Sequence, residues 1–329
     1  MKVTIDEVAK LAGCSKGTVS RVLNEKGYVS EETRNKVHKA AKELNYYPSE
    51  VARSVSSKKT FLIGLIVPTT NHPFFGELVH FIERNLNHYG YKLMICNTLN
   101  DVEKEEKYVT QLMSNQVDGM IVASQNSIKV NYDFPGLPII AIDHFMSNVI
   151  PVIRSDNYNG GYLATNELIN AGCKEILCVN PIKNHDGDTN LRSKAYEEVM
   201  IENKLNSYFI KLRSHLSKEE KKLKIEKELL ENPKIDGIFA QDDETAVLFL
   251  DVLKELGKRV PATVKVIGYD GSSISRLLRP DLTTIQQPIE ELAYEAIQIL
   301  LMLMNKETVD QKEYILPVSL LKGDTTKSI

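Results

Sequence analysis

The chain has no tryptophan and only four cysteines in 329 residues. Cys14, Cys96, Cys173 and Cys178 show no zinc-ligand spacing, and the Cys173-x4-Cys178 pair reads as two reduced thiols rather than a disulfide or redox motif. No apolar run reaches the length of a membrane span, and the opening MKVTIDEV lacks the apolar core of a secretory signal. A cytoplasmic protein with no membrane contact is expected. Also missing are G-x-G-x-x-G after a strand, a Walker loop ending in Gly-Lys-Ser/Thr, G-x-S-x-G, and H-E-x-x-H among the seven histidines. These absences argue against the common nucleotide, hydrolase and metalloprotease chemistries, so no enzyme activity, metal or cofactor is expected. A sugar-transforming enzyme and a transport-type binding protein stand as rival readings, separable by turnover assays and by the basic N-terminal module.

What is present is unevenly spread. Residues 1–59 carry 12 Lys and Arg against 7 Asp and Glu, a balance of +5, which leaves 29 against 37, or −8, for the remainder. A basic module on an acidic body is the electrostatic footprint of nucleic-acid attraction confined to one end. At this length the chain exceeds one ordinary core, and one small and one larger unit are expected.

The basic end has helix punctuation. Thr4-Ile5-Asp6-Glu7 reads as a capping box, so a helix begins at Ile5, with Ile5, Val8, Ala9 and Leu11-Ala12 as its apolar side. Gly13 ends it and Ser15 caps the next helix. In that helix Val19, Val22 and Leu23 fall at i, i+3 and i+4, leaving Lys16, Gly17, Thr18, Ser20, Arg21 and Asn24 on the outer face. Helix, glycine turn and second helix make a helix-turn-helix, whose second helix reads base edges in the major groove. Ser30 caps a third helix, with acids in its first turn and Val37, Ala40, Ala41 and Leu44 as its stripe. After Tyr47-Pro48, the segment from Ser49 to Ser56 forms about two helical turns, too short to hold without a partner.

The run from Thr4 to Val55, with TVSRVLN, YVSEETRNKV and NYYPSEVARSV, resembles the headpiece and hinge of the lactose-repressor/galactose-repressor family. The resemblance implies a dimer on palindromic double-stranded operator DNA. It assigns groove contacts to Lys16, Gly17, Ser20, Arg21 and Asn24, and phosphate or flanking contacts to Thr4, Ser15, Tyr28, Ser30, Thr33 and Ser49. Ala52 and Val55 would enter the minor groove. Val55 stands where the family has a leucine wedge, which makes a smaller insert. The domain reading is a headpiece over 1–47, a hinge helix and linker over 48–59, and a body over 60–329.

From Phe61 onward the periodicity changes. Residues 61–67, 91–96, 119–123 and 139–142 are short apolar runs, the first three separated by helical segments near 75–88 and 102–115. The rhythm restarts with strands near 175–180, 208–212, 236–240 and 264–267, between helices near 159–170, 190–203, 217–231 and 243–256. Buried strands alternating with helices predict two doubly wound, parallel-sheet lobes. The first lobe is expected over about 60–155 and 288–317, the second over about 156–287 and 318–329. Ligands bind beyond the carboxyl ends of such strands, and the loops there are rich in carboxylates, amides and rings, the chemistry of sugar recognition.

The pieces NHPFF, SDNYNGG, FAQDDETAV, IGYDGSS and LTTIQQP resemble the effector domain of the same family and bacterial periplasmic ribose-type binding proteins. ICNTLND and YILPVSLLKGD resemble its sucrose-operon branch. The likeness implies a small carbohydrate effector held by His72, Phe74, Phe75, Asn100, Asp143, His144, Arg192, Asp242, Asp270 and Gln287. His144 replaces an arginine common in pentose binders and Asp242 an asparagine, so the sugar stays open, as do a phosphate ester and the sign of the response. Plainer readings stand beside these. His72 orders its loop, at least one of Phe74 and Phe75 is core, and Asp270 bonds its own turn. Arg192 is the hardest to read plainly, because it sits among Asp186, Asp188 and Asn190 and a buried guanidinium needs carboxylate or hydroxyl partners.

Overall fold

The computed structural model describes residues 3–24, 27–47, 59–124, 126, 130–179, 190–213 and 216–327. The hinge expected over 48–59, including Ser49, Ala52 and Val55, lies outside the described residues except at its last position, as do Asp186 and Asp188. The chain divides into two units, Met1–Phe61 and Leu62–Ile329.

The first unit is a three-helix core: α1 (Ile5–Ala12), α2 (Lys16–Leu23) and α3 (Glu31–Glu43). The Thr4 amide donates to the Glu7 carboxylate at 2.8 Å, and Ser15 Oγ accepts from the Thr18 amide at 3.1 Å. Gly13 turns the chain at φ 66°, a left-handed conformation that favours glycine. Val8, Ala9, Val19, Val22, Val37, Ala40 and Ala41 form the core. Leu11, expected on the apolar side, is 48% exposed. At about 3.6 residues per turn the stripe runs 5, 8, 9 and 12, and position 11 falls outside it.

In the second unit the first sheet has the order β11-β5-β4-β3-β1-β2. Its strands are β1 (Leu62–Val67), β2 (Lys92–Asn97), β3 (Gly119–Val122), β4 (Ile139–Ile142), β5 (Val152–Ser155) and β11 (Glu313–Leu316). Helices α4 (Pro73–His88) and α5 (Val102–Ser114) connect β1, β2 and β3, the right-handed crossover rhythm of a parallel sheet. The second sheet has the order β12-β10-β9-β8-β6-β7. It contains β6 (Ile176–Val179), β7 (Tyr208–Ile210), β8 (Gly237–Phe239), β9 (Lys265–Asp270), β10 (Thr283–Gln286) and β12 (Ser319–Leu321). Its helices are α6 (Asn157–Asn170), α7 (Asn190–Glu202), α8 (Lys218–Glu231), α9 (Asp243–Glu255) and the short α10 (Ser273–Leu278). The last helix, α11 (Ile289–Met304), packs on α4 and on β3, β4 and β5.

Three details depart from the sequence expectation. The run at 92–97 is not a buried strand: it lies at the edge of its sheet, and Ile95 is 42% exposed. Strands β5, β10, β11 and β12 were not among the runs read from periodicity. Finally β12 pairs antiparallel with β10. The chain leaves β11 at its carboxyl end and enters the second sheet from the matching side after two residues, so it has to run backwards. The chain passes between the sheets three times, after β5, after β10 and after β11, at the β11-β5 edge of one sheet and the β12-β10 edge of the other. Arg154, itself buried, ties β5 to Glu313 of β11 at 2.6 Å.

All four cysteines are free, and burial pushes the Cys173 and Cys178 thiols up to about 12. Among the described residues no helix is long and apolar enough to cross a membrane.

Helices α6 and α7 approach so closely that a Cβ on Gly161 would lie 2.4 Å from the Arg192 carbonyl oxygen. A clash with backbone has no rotamer to relieve it. Gly161→Ala is expected to lower the stability of the body by about 1–3 kcal/mol, read as a fall in the midpoint of urea unfolding; an unchanged midpoint would mean that the helices part without cost.

Candidate functional site

On the first unit, α2 turns a polar face outward. Lys16, Gly17 and Arg21 are exposed, whereas Ser20 and Asn24 are half-buried. Lys16 pairs with Asp6 at 3.0 Å, but both side chains are more than half exposed, so water screens the pair and the cation stays available to a phosphate. Arg21 Nε donates to the Gly17 carbonyl at 3.3 Å, and Asn24 Nδ2 to the Ser20 carbonyl at 2.9 Å. Asn24 Nδ2 also donates to the Ser20 hydroxyl at 3.3 Å, so both side chains lie back along the helix. Thr4, Ser15, Ser30 and Thr33 stand at the starts of the three helices, where helix N–H groups suit anions. Tyr28 is 94% exposed.

In the second unit all ten residues proposed for the effector line one cleft of about 410 Å³ between the two lobes. His72, Phe74 and Phe75 come from the connection after β1, Asn100 from that after β2, and Asp143 and His144 from that after β4. The other lobe contributes Asp242 after β8, Asp270 at the end of β9, Gln287 after β10, and Arg192 from α7. Pro73 at the first turn of α4 directs the rings: Phe74 is 4% exposed and meets Phe75 edge to face at 5.1 Å, and Phe75 meets His72 at 5.7 Å. One phenylalanine is therefore core and cleft wall at once. Asp143 sits at φ 57° with its carboxylate accepting from the Ser155 amide at 3.1 Å.

Arg192 is 5% exposed. Its Nε donates to Asn157 Oδ1 at 2.7 Å, one terminal nitrogen to the Gln241 carbonyl at 2.8 Å, and its guanidinium carbon lies 3.5 Å from the centroid of the Tyr269 ring. Asp186 and Asp188, near which the sequence places it, lie outside the described residues. Neutral oxygens and a π-face satisfy direction and part of the desolvation cost of the guanidinium. Asn157 and Tyr269 were not singled out, although glycines marked the spot: a Cβ on Gly160 would fall 2.1 Å from the Tyr269 hydroxyl.

Asp270 bonds more than its own turn, since Gln287 Nε2 donates to its Oδ1 at 2.7 Å. Asp242 instead caps α9, accepting from the Thr245 amide at 2.6 Å and hydroxyl at 3.0 Å, so its carboxylate is largely committed. The next residue, Asp243, is 3% exposed and accepts from Thr284 Oγ1 at 2.5 Å and the Gly271 amide at 2.9 Å. Its signal was the run Asp242-Asp243-Glu244 at a helix start, where one acid caps and the next faces the sheet. Burial first, and then neighbouring carboxylates, hold both Asp243 and Asp270 above the ordinary carboxyl range, with Arg192 opposing the shift at Asp270. The cleft thus presents acceptors, a fixed cation, amides and edge-to-face rings, with Gln287 Oε1 buried and unpartnered among the described residues. That set pairs with hydroxyls and a ring face.

The comparisons agree with this geometry. A family model described as bacterial regulatory proteins, lacI family, matches residues 4–49, and one described as a periplasmic binding protein-like domain matches residues 165–326. The sucrose operon repressor of Streptococcus mutans is 40% identical over 99% of this chain and 100% of its own length. The lac repressor dimer, solved bound to operator and an anti-inducer, superposes with a TM-score of 0.86 at 27% identity, over 99% of each chain. A periplasmic binding protein/LacI regulator from Alkaliphilus metalliredigens complexed with D-xylulofuranose gives 0.73 at 35% identity, over 81% of this chain and 99% of that one.

A carboxyl group that holds its proton more tightly folded than unfolded favours folding in acid and loses that contribution as pH rises through its folded value. Wild type should therefore lose stability relative to Asp243→Asn between pH 5 and 8, by at least about 1.4 kcal/mol, the equivalent of one pKa unit. Parallel stability curves for the two proteins would refute the buried pair. With a reading helix at one end and a polar two-lobed cleft in the body, matched over their full length by an operon repressor, the chain belongs to the lacI family of bacterial regulatory proteins.

Proposed function

We propose that this chain is a cytoplasmic, sequence-specific repressor of a carbohydrate-utilisation operon, controlled by a sugar or sugar phosphate bound between the lobes and needing no other cofactor. The observation that carries the reading is the convergence of Phe74, Phe75, Asp143, Arg192, Asp270 and Gln287 on one cleft. The chain acts as a homodimer, which brings two headpieces to the halves of a palindromic operator. Ile274, Leu277 and Leu278, an exposed apolar stripe on α10, offer a surface for that pairing. The segment 48–59 serves as the hinge between headpiece 1–47 and body 60–329, and two such segments hold each other only while the dimer grips DNA. A sugar that changes the angle between lobes moves the paired bodies, separates the hinges and releases the operator.

Two measurements test the reading. Arg21→Ala should weaken operator binding by about 1–3 kcal/mol more than binding to random duplex; equal losses would reduce Arg21 to a phosphate contact. A thermal-shift panel of mono- and disaccharides and their phosphates should contain at least one compound that stabilises wild type but not Arg192→Lys, whose point charge lacks the planar fork. A panel without any stabilising compound would remove the sugar from the scheme.

A further inference from the structure

The lobes also meet at the rim of the cleft. Glu77, one turn beyond Phe74 on α4, reaches across to Ser273, three residues beyond Asp270 at the start of α10. Its Oε2 accepts from the Ser273 amide at 2.6 Å and from the Ser273 hydroxyl at 2.8 Å. The start of α10 does not need Glu77, because Ser272 Oγ already accepts from the Ser275 amide at 3.3 Å. Nor does the contact fill a core: Glu77 is only half-buried and Ser273 is exposed. It joins segment 72–77, which carries the aromatic wall, to segment 270–273, which carries the buried carboxylate.

We propose that Glu77 is a positioning residue, a rim latch that holds the two lobes in the arrangement that grips the sugar and so sets the sugar concentration to which the repressor responds. The proposal rests on the sugar reading given above. Its physical basis is linkage. A bond made only while the lobes are together adds to the stability of that arrangement, and a ligand touching both lobes favours the same arrangement. Latch and ligand therefore strengthen each other, although Glu77 needs no contact with the sugar. A charged acceptor on two donors is strong enough to shift the balance, and its exposed position makes it cheap to release.

The test uses the full chain with Glu77→Ala, Glu77→Gln, Ser273→Ala and the double variant Glu77→Ala/Ser273→Ala. Without ligand, hydrogen exchange at the Ser273 amide should be at least about tenfold faster in Glu77→Ala than in wild type, while the melting temperature changes little. With D-fructose, D-ribose and sucrose as probes, the concentration giving half of the full thermal shift should rise about 3- to 10-fold in Glu77→Ala. It should rise less in Glu77→Gln and in Ser273→Ala, which keep part of the contact. The double variant should match Glu77→Ala rather than exceed it, because both changes break one contact. Unchanged Ser273 exchange overturns the latch, and a half-maximal concentration within twofold of wild type overturns its role in the response. A wild type that neither these probes nor any member of the saccharide and sugar-phosphate panel stabilises contradicts the sugar reading itself, while the exchange measurement still judges the contact.

Discussion

The body is arranged around a buried cation. Arg192 cannot lose its proton inside the protein, so the fold has to surround it with acceptors or leave it at great cost. Among the described residues it does so with Asn157, the Gln241 carbonyl and the face of Tyr269. The positive charge beside Asp270 opposes the pull of burial on that carboxyl. The double glycine of α6 follows from the same need, because only a helix without Cβ atoms at positions 160 and 161 lets Tyr269 and the Arg192 backbone come this close.

That centre sits where the topology delivers it. Strands of both sheets point their carboxyl ends into the gap between lobes, and the three crossings lie at one edge of both sheets. The cleft lining is thereby divided between lobes: rings, Asp143 and His144 on one side, Arg192, Asp270 and Gln287 on the other. A ligand held by both sides is bound to alter the angle between them, and the Glu77 to Ser273 contact lies on that same coordinate.

Much of this was legible in the sequence because the relevant signals are local. The cap at Ser15, the turn at Gly13 and the stripe of Val19 and Val22 are each decided within a few residues. The same holds for the apolar runs that became β1, β3, β4 and β6, and strand-end loops could be named once strands were placed. The misses were matters of neighbours. Leu11 looked apolar enough for a core but fell outside the helical stripe, and β2 looked buried but had a partner on one side only. The partners of Arg192 lie 35 and 49 residues away, and Glu77 meets a residue 196 positions distant. No periodicity encodes such pairings; at most the glycines at 160 and 161 and the acids at 242–244 show that something must approach closely or turn inward.

The central claim is a coupling between a filled cleft and the grip on a duplex. It is tested most directly by fluorescence anisotropy of a labelled palindromic operator titrated with the full chain at one fixed salt concentration, with and without the sugar that stabilises the body most. The account predicts that saturating sugar weakens operator affinity at least about tenfold, equivalent to about 1.4 kcal/mol, while affinity for random duplex barely moves. Operator affinity that is indifferent to every stabilising sugar, or a chain that binds no double-stranded DNA even at low salt, would contradict it.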